Sequence, residues 1–192
     1  MKLRYYWLYL LIFFNTAAYA EIHPLQVICS AKPKTCQWLQ TSFVEKYNIP
    51  TNIVRMSSGE ALSVIEQNST NTDFIYDVWW GGTGDTHLKA IGNGFMHKFS
   101  PSIKNLLGWS TYLSDLSNGH SVGVYAGILG IIANKKVLAA QNIDLPSCWS
   151  DLGDPKYRGQ IIIANPATSG TAYTFLSTIF QIYDPFQRLQ IL

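Results

Sequence analysis

Apolar residues in this chain come in short runs separated by stretches of helical spacing. Leu25-Gln26-Val27-Ile28-Cys29 has the length and β-branched character of a buried strand, and from Thr35 to Tyr47 the residues Trp38, Leu39, Ser42, Phe43 and Tyr47 recur at helical spacing. A second strand is predicted from Asn52 to Met56, then a helix from Ser58 to Glu66 with Ala61, Leu62 and Ile65 on one face. A third strand, Tyr76 to Trp80, leads through a Gly-rich turn into a helix around Thr86 to Ile91. Strands alternating with helices predict an α/β fold with a parallel sheet covered on both faces.

Beyond a loop around Pro101 the pattern changes. The run from Val122 to Ala133 is too glycine-rich for a stable helix and reads as a long or bent strand. A short helix with Val137 and Leu138 follows, then a Pro146–Pro155 segment holding Cys148, Trp149 and Leu152. Ile161 to Ala164 reads as a strand and Thr171 to Ile182 as an amphipathic helix. The composition break at Gly119–Gly123 is the best position for a hinge or boundary.

The amino terminus changes the setting. Lys2 and Arg4 precede an uncharged apolar run from Tyr5 to Phe14 and the small-residue tripeptide Ala18-Tyr19-Ala20, the layout of a secretory signal peptide cleaved after Ala20. The uncharged stretch is shorter than the roughly 20 residues a spanning helix requires. Removing residues 1–20 takes two of the 14 basic residues and none of the 12 acidic ones, leaving the exported chain balanced. A balanced chain offers no bulk field to nucleic acid or an anionic membrane. With 47% hydrophobic and 14% charged residues it has the composition of a globular protein.

Export exposes Cys29, Cys36 and Cys148 to an oxidising compartment. A local disulfide between Cys29 and Cys36 is the first choice; three small buried hydrophobes are the alternative. His23, His87, His97 and His120 show no ligand spacing with these cysteines, so no metal site is expected. No cofactor motif is present.

Three junctions share one layout, a strand, a Ser/Thr/Gly turn and a helix: Met56 to Glu60, Trp80 to Thr86 and Asn165 to Ala172. Helix starts present unpaired N–H groups and the positive end of the macrodipole, hydroxyls add donors, and glycine lets backbone approach a ligand. Taken singly each turn is also an ordinary cap, Ser57 with Glu60 fitting a capping box and Ser169 or Thr171 an N-cap. Three of them at strand carboxyl ends point to an anion, because open α/β sheets bind ligands there. Of the nearby aromatics, Trp79 and Trp80 alternate, so at least one belongs to the core, and Tyr125 has a phenolic donor suited to a cleft. Catalytic motifs are missing, and no base is nominated for Ser58 or Ser169, so the chain reads as a non-enzyme; an exported hydrolase is the alternative from another class.

Ser57-Ser58-Gly59-Glu60-Ala61, Asp77 through Asp85, Gly123-Val124-Tyr125-Ala126-Gly127, Cys148 to Leu152, Asp154 to Gly159 and Asn165 through Thr174 together resemble the extracellular solute-binding proteins of bacterial ABC importers, in the cluster for ferric iron and phosphorylated organic solutes. The resemblance runs from about Leu25 to about Tyr183; the tail Asp184–Leu192 departs from it. It implies a two-lobed periplasmic-binding-protein fold of the second type, incomplete at the carboxyl terminus, with residues 21–121 in lobe one and 122–192 in part of lobe two. It also implies a periplasmic monomer that works with a membrane permease and holds a small anionic solute, such as a phosphorylated sugar or phosphonate. Ser58, Gly59, Thr83, Asp85, Tyr125, Ser169, Gly170 and Thr171 would line the site. Ferric iron held with an anion is the alternative cargo, although Ser30 to Lys34 and Gly82-Thr83-Gly84 stand where the iron-binding branch has a His and a Glu. Members are far longer than 192 residues, so a chain ending at Leu192 is expected to be loosely packed, weakly binding or without function.

Overall fold

The computed structural model describes residues 23–68, 70–71, 75–99 and 105–192. The expected signal peptide and the expected loop at Pro101 lie outside the described residues.

Three strands, β1 (Leu25–Ser30), β2 (Thr51–Arg55) and β3 (Val78–Gly81), form a parallel sheet in the order β2-β1-β3. β1 is central, pairing Ile28 with Val54 on one side and with Trp79 on the other. Because side chains alternate across a strand, its two faces do different jobs. Ile28 and Trp79 pack on α2 (Ser58–Gln67) and α3 (Gly84–Gly92) in a buried cluster with Ala61, Leu62, Ile65 and Ala90. Cys29, next along and fully buried, is joined by a disulfide to Cys36 of α1 (Pro33–Tyr47).

These elements match the sequence pattern closely, but α1 does not. Its packed side runs through Cys36 and Gln40, whose amide donates to the Thr51 carbonyl at 2.6 Å, while Trp38 is 64% exposed. The tether at Cys36 sets the rotation of α1, and the aromatic spacing does not.

A helix α4 (Gly108–Leu116) precedes the turn at Asn118 and Gly119, both at positive φ. Beyond it come α5 (Lys135–Ala140), short 3-10 turns at Trp149–Gly153 and Pro155–Tyr157, α6 (Gly170–Ile182) and α7 (Pro185–Ile191). Asp184 caps α7 by accepting from the N–H groups of Phe186 and Gln187, and α7 packs on the 149–153 turn.

The runs predicted as strands at Val122–Ala133 and Ile161–Ala164 form none. A strand exists only when its N–H and C=O groups find a partner ladder, and among the described residues neither run pairs with another. They flank an apolar hollow of about 370 Å³ with Leu129, Ile131, Ile161, Ile163, Trp149 and Phe175 on its walls.

Candidate solute-binding cleft

In a parallel sheet all strands end on the same edge, so Ser30, Arg55 and Gly81 emerge side by side. Two helices start directly from that edge, α2 after Ser57 and α3 after Thr83. The start of α6, capped by Ser169, comes to meet them from the second half of the chain. Between them lies a cleft of about 470 Å³.

Glu60 fastens the first turn, accepting from both the N–H and the hydroxyl of Ser57 at 2.7 Å. Those two bonds, that to the N–H foremost, hold its carboxyl below the ordinary range. Ser58 is buried, and its hydroxyl accepts the Thr83 N–H at 3.3 Å, linking the first turn to the second. Gly81 and Gly82 have φ of 77° and 92°, a conformation only glycine adopts freely. Gly82 donates its N–H to the Tyr125 phenol at 3.0 Å, and the phenol donates to the Ser30 carbonyl at 3.4 Å. Trp80 packs against Tyr125, while Trp79 is in the core with its indole N–H on the Ser30 hydroxyl.

The third turn is held by its own caps and by α2. Ser169 accepts the Ala172 N–H at 3.3 Å, and the Thr168 carbonyl accepts the Gly59 N–H at 3.0 Å. At Gly170 a Cβ would lie 2.7 Å from Thr83 Oγ1 and 2.8 Å from Ser58 Oγ, so the α6 start closes on both hydroxyls. Thr83 Oγ1 is buried and has no hydrogen-bond partner. An orphaned buried hydroxyl costs about 1–3 kcal/mol, which a bound acceptor would recover.

Seven of the eight residues expected in the site line this cleft: Ser58, Thr83, Asp85, Tyr125, Ser169, Gly170 and Thr171. Gly59 is not on its wall; it sits behind, in the seam between α2 and the 165–170 turn. Sequence reasoning missed Ser30, Arg55 and Thr174. Ser30 and Arg55 could have been found by asking what ends each parallel strand, and Thr174 by stepping one turn along α6 from Gly170.

Neither Ser58 nor Ser169 is activated, and the Ser57–Glu60 hydroxyl bond belongs to the capping box of α2. Ser58 accepts from Thr83 and Ser169 from Ala172, and among the described residues no His or carboxylate is hydrogen-bonded to either, as a nucleophile would require. Among the described residues no group of three His, Cys, Asp or Glu is placed to hold a metal ion.

Beneath the cleft, His87 is buried and stacked on Trp79, 4.1 Å between ring centroids. Its Nε2 lies 2.8 Å from the Gly81 carbonyl, which can only accept, so Nε2 carries the proton and Nδ1 is a buried atom without a partner. Burial lowers the imidazole from its ordinary 6.5, against smaller raising effects of the Gly81 bond and the Asp85 charge. The unfolded chain then takes up a proton that the folded one resists. Stability from this source is complete above about pH 6.5 and is lost as pH falls below it. His87→Gln keeps a donor for Gly81 and is expected to shallow the drop in melting temperature between pH 7.5 and 5.5; equal drops in both proteins would refute this.

The bacterial extracellular solute-binding protein family matches residues 76–190, and the chain belongs to it. The match reaches Gln190, so most of the tail from Asp184 falls within the family pattern after all. A Haemophilus influenzae protein is 35% identical over 170 residues, 88% of this chain and 49% of that protein. The Salmonella typhimurium phosphoglycerate transport regulatory protein PgtC is 31% identical over 61 residues, 32% of this chain and 15% of its own length. Among solved structures, the periplasmic binding protein AfuA of Actinobacillus pleuropneumoniae, with exogenous fructose-6-phosphate bound, superposes with a TM-score of 0.78 at 33% identity. The periplasmic binding protein P5PA gives 0.79 at 25% identity. Each structural match covers 88% of this chain and 53% of the neighbour, so the chain spans about half the length of these relatives. The fold is that of periplasmic binding proteins, and family and neighbours are binding proteins, not enzymes.

Proposed function

We propose that the chain is the solute-capturing component of an ABC importer, exported through cleavage after Ala20, and that it holds a small phosphorylated solute for a membrane permease. Residues 21–121 act as one lobe and 122–192 as part of the other, hinged near Gly119–Gly123. The observation that carries the anion assignment is the convergence of three helix starts on Thr83 Oγ1, a buried hydroxyl without a partner. Helix N–H groups and hydroxyls together neutralise a phosphate without bringing a cation into the interior. The bound fructose-6-phosphate in AfuA and the phosphoglycerate of PgtC's name support the same solute class.

Thr83→Val tests this with little disturbance, because it replaces the orphaned hydroxyl by a methyl of similar shape. Affinity for fructose 6-phosphate, measured by calorimetry, is expected to fall about 10- to 100-fold, the worth of a hydrogen bond to a charged group. The melting temperature without ligand should hold or rise, since a buried unsatisfied group is removed. Unchanged affinity in a folded variant would sink the anion site.

A further inference from the structure

We propose that Arg55 is a specificity-determining residue of this cleft, and that it selects a solute carrying a carboxylate in addition to its phosphate. The inference rests on the phosphate reading above and adds the second anionic group. Arg55 ends β2 on the sheet edge from which the phosphate-binding turns emerge, three residues before Ser58. It lines the same cleft as Thr83 and Gly170. Neighbouring Cα atoms are about 3.8 Å apart, so the Arg55 backbone is within about 11 Å of Ser58 and its long side chain covers much of that span.

Two features separate Arg55 from the phosphate locus itself. That locus is built from neutral donors and is closed over by Gly170, whereas Arg55 is exposed at the rim. Arg55 also keeps its recognition groups free. Its Nε donates to the Ala31 carbonyl at 3.4 Å, which tethers the guanidinium, and its two terminal nitrogens make no hydrogen bond or ion pair among the described residues. The nearby carboxylate that could have taken them, Glu60, is committed to Ser57. A tethered, unpaired guanidinium beside an anion pocket matches the flat, two-oxygen geometry of a carboxylate. Asp85, on the same cleft wall, disfavours anions near itself and suits a hydroxyl of the solute, so the second anionic group belongs on the Arg55 side.

Glycerol 3-phosphate and 3-phosphoglycerate share a three-carbon phosphorylated skeleton and differ by the carboxylate, so they isolate the effect of Arg55. The protein is expected to bind 3-phosphoglycerate about 10- to 100-fold more tightly, as a charge-assisted contact of this kind contributes. Arg55→Gln should abolish that preference, lowering 3-phosphoglycerate affinity about 10- to 100-fold and glycerol 3-phosphate affinity by much less, and Arg55→Lys should restore only part of it. Equal affinities in the unsubstituted protein, or an equal loss for both ligands in Arg55→Gln, would overturn the role of Arg55 while leaving the phosphate site intact. Binding of neither ligand would overturn the phosphate reading and this inference with it.

Discussion

Gly59→Ala is expected to weaken fructose 6-phosphate binding about 10- to 100-fold while leaving the sheet and its helices folded. Gly59 lies in the first turn of α2, and a Cβ there would collide with the Ala167 carbonyl oxygen and come within 2.7 Å of Thr168 Cα. Both obstacles are backbone, so no flexible side-chain end can move aside. The 165–170 turn has to withdraw as a unit, drawing Gly170 and Thr171 away from Ser58 and Thr83 and breaking the Gly59–Thr168 hydrogen bond. Overpacking of this kind costs typically about 1–3 kcal/mol, and here it falls on the arrangement that seats the α6 start against Ser58 and Thr83. The unliganded core is spared, because alanine is the better helix former by about 1 kcal/mol. Gly92→Ala is the control: open space surrounds that position, and binding should not change. Calorimetry on the two variants decides the matter, and a Gly59→Ala affinity within twofold of the original would show that the seam does not position the third turn for binding.

The seam also explains what could and could not be read from the residues. The apolar run at Leu25–Cys29, the Ala61-Leu62-Ile65 face and the glycines of the Trp80–Thr86 turn each determine their structure locally, so β1, α2 and the positive-φ bend at Gly81-Gly82 were legible. The three anion-type turns were legible for the same reason, since hydroxyl, glycine and helix start are adjacent in sequence. The resemblance puts Gly59 on the cleft wall with Ser58, but a helix turns about 100° per residue and aims Gly59 into the 165–170 turn instead. Ser30 and Arg55 were invisible to helix-start reasoning; they enter the cleft through the parallel edge, which is a property of pairing. The runs 122–133 and 161–164 have strand composition, yet a ladder requires a partner that composition does not supply.

The same contrast between local pattern and partner fixes the outcome of two isoleucine substitutions in residues 21–192 produced as such. Ile28→Ala should cost about 2–5 kcal/mol, because Ile28 is 1% exposed, central in the sheet and enclosed by Leu62, Ile65 and Trp79. Ile162→Asn should change stability by less than about 0.5 kcal/mol, because Ile162 is 98% exposed and touches no core. Ile132 is equally bare and borders the apolar hollow together with Ile162, so a contiguous sticky surface is presented to solvent. Each 100 Å² left uncovered forgoes about 2.5 kcal/mol of burial. This chain should therefore bind a hydrophobic dye and self-associate, and Ile162→Asn with Ile132→Asn should reduce both without lowering the melting temperature. Hydrogen exchange gives the independent check, with amides of Val27–Cys29 protected to the global limit and those of 128–132 and 161–163 exchanging freely. If Ile162→Asn instead costs more than about 1.5 kcal/mol, or the 161–163 amides are protected, that surface is covered in solution and the exposed runs belong to a packed structure.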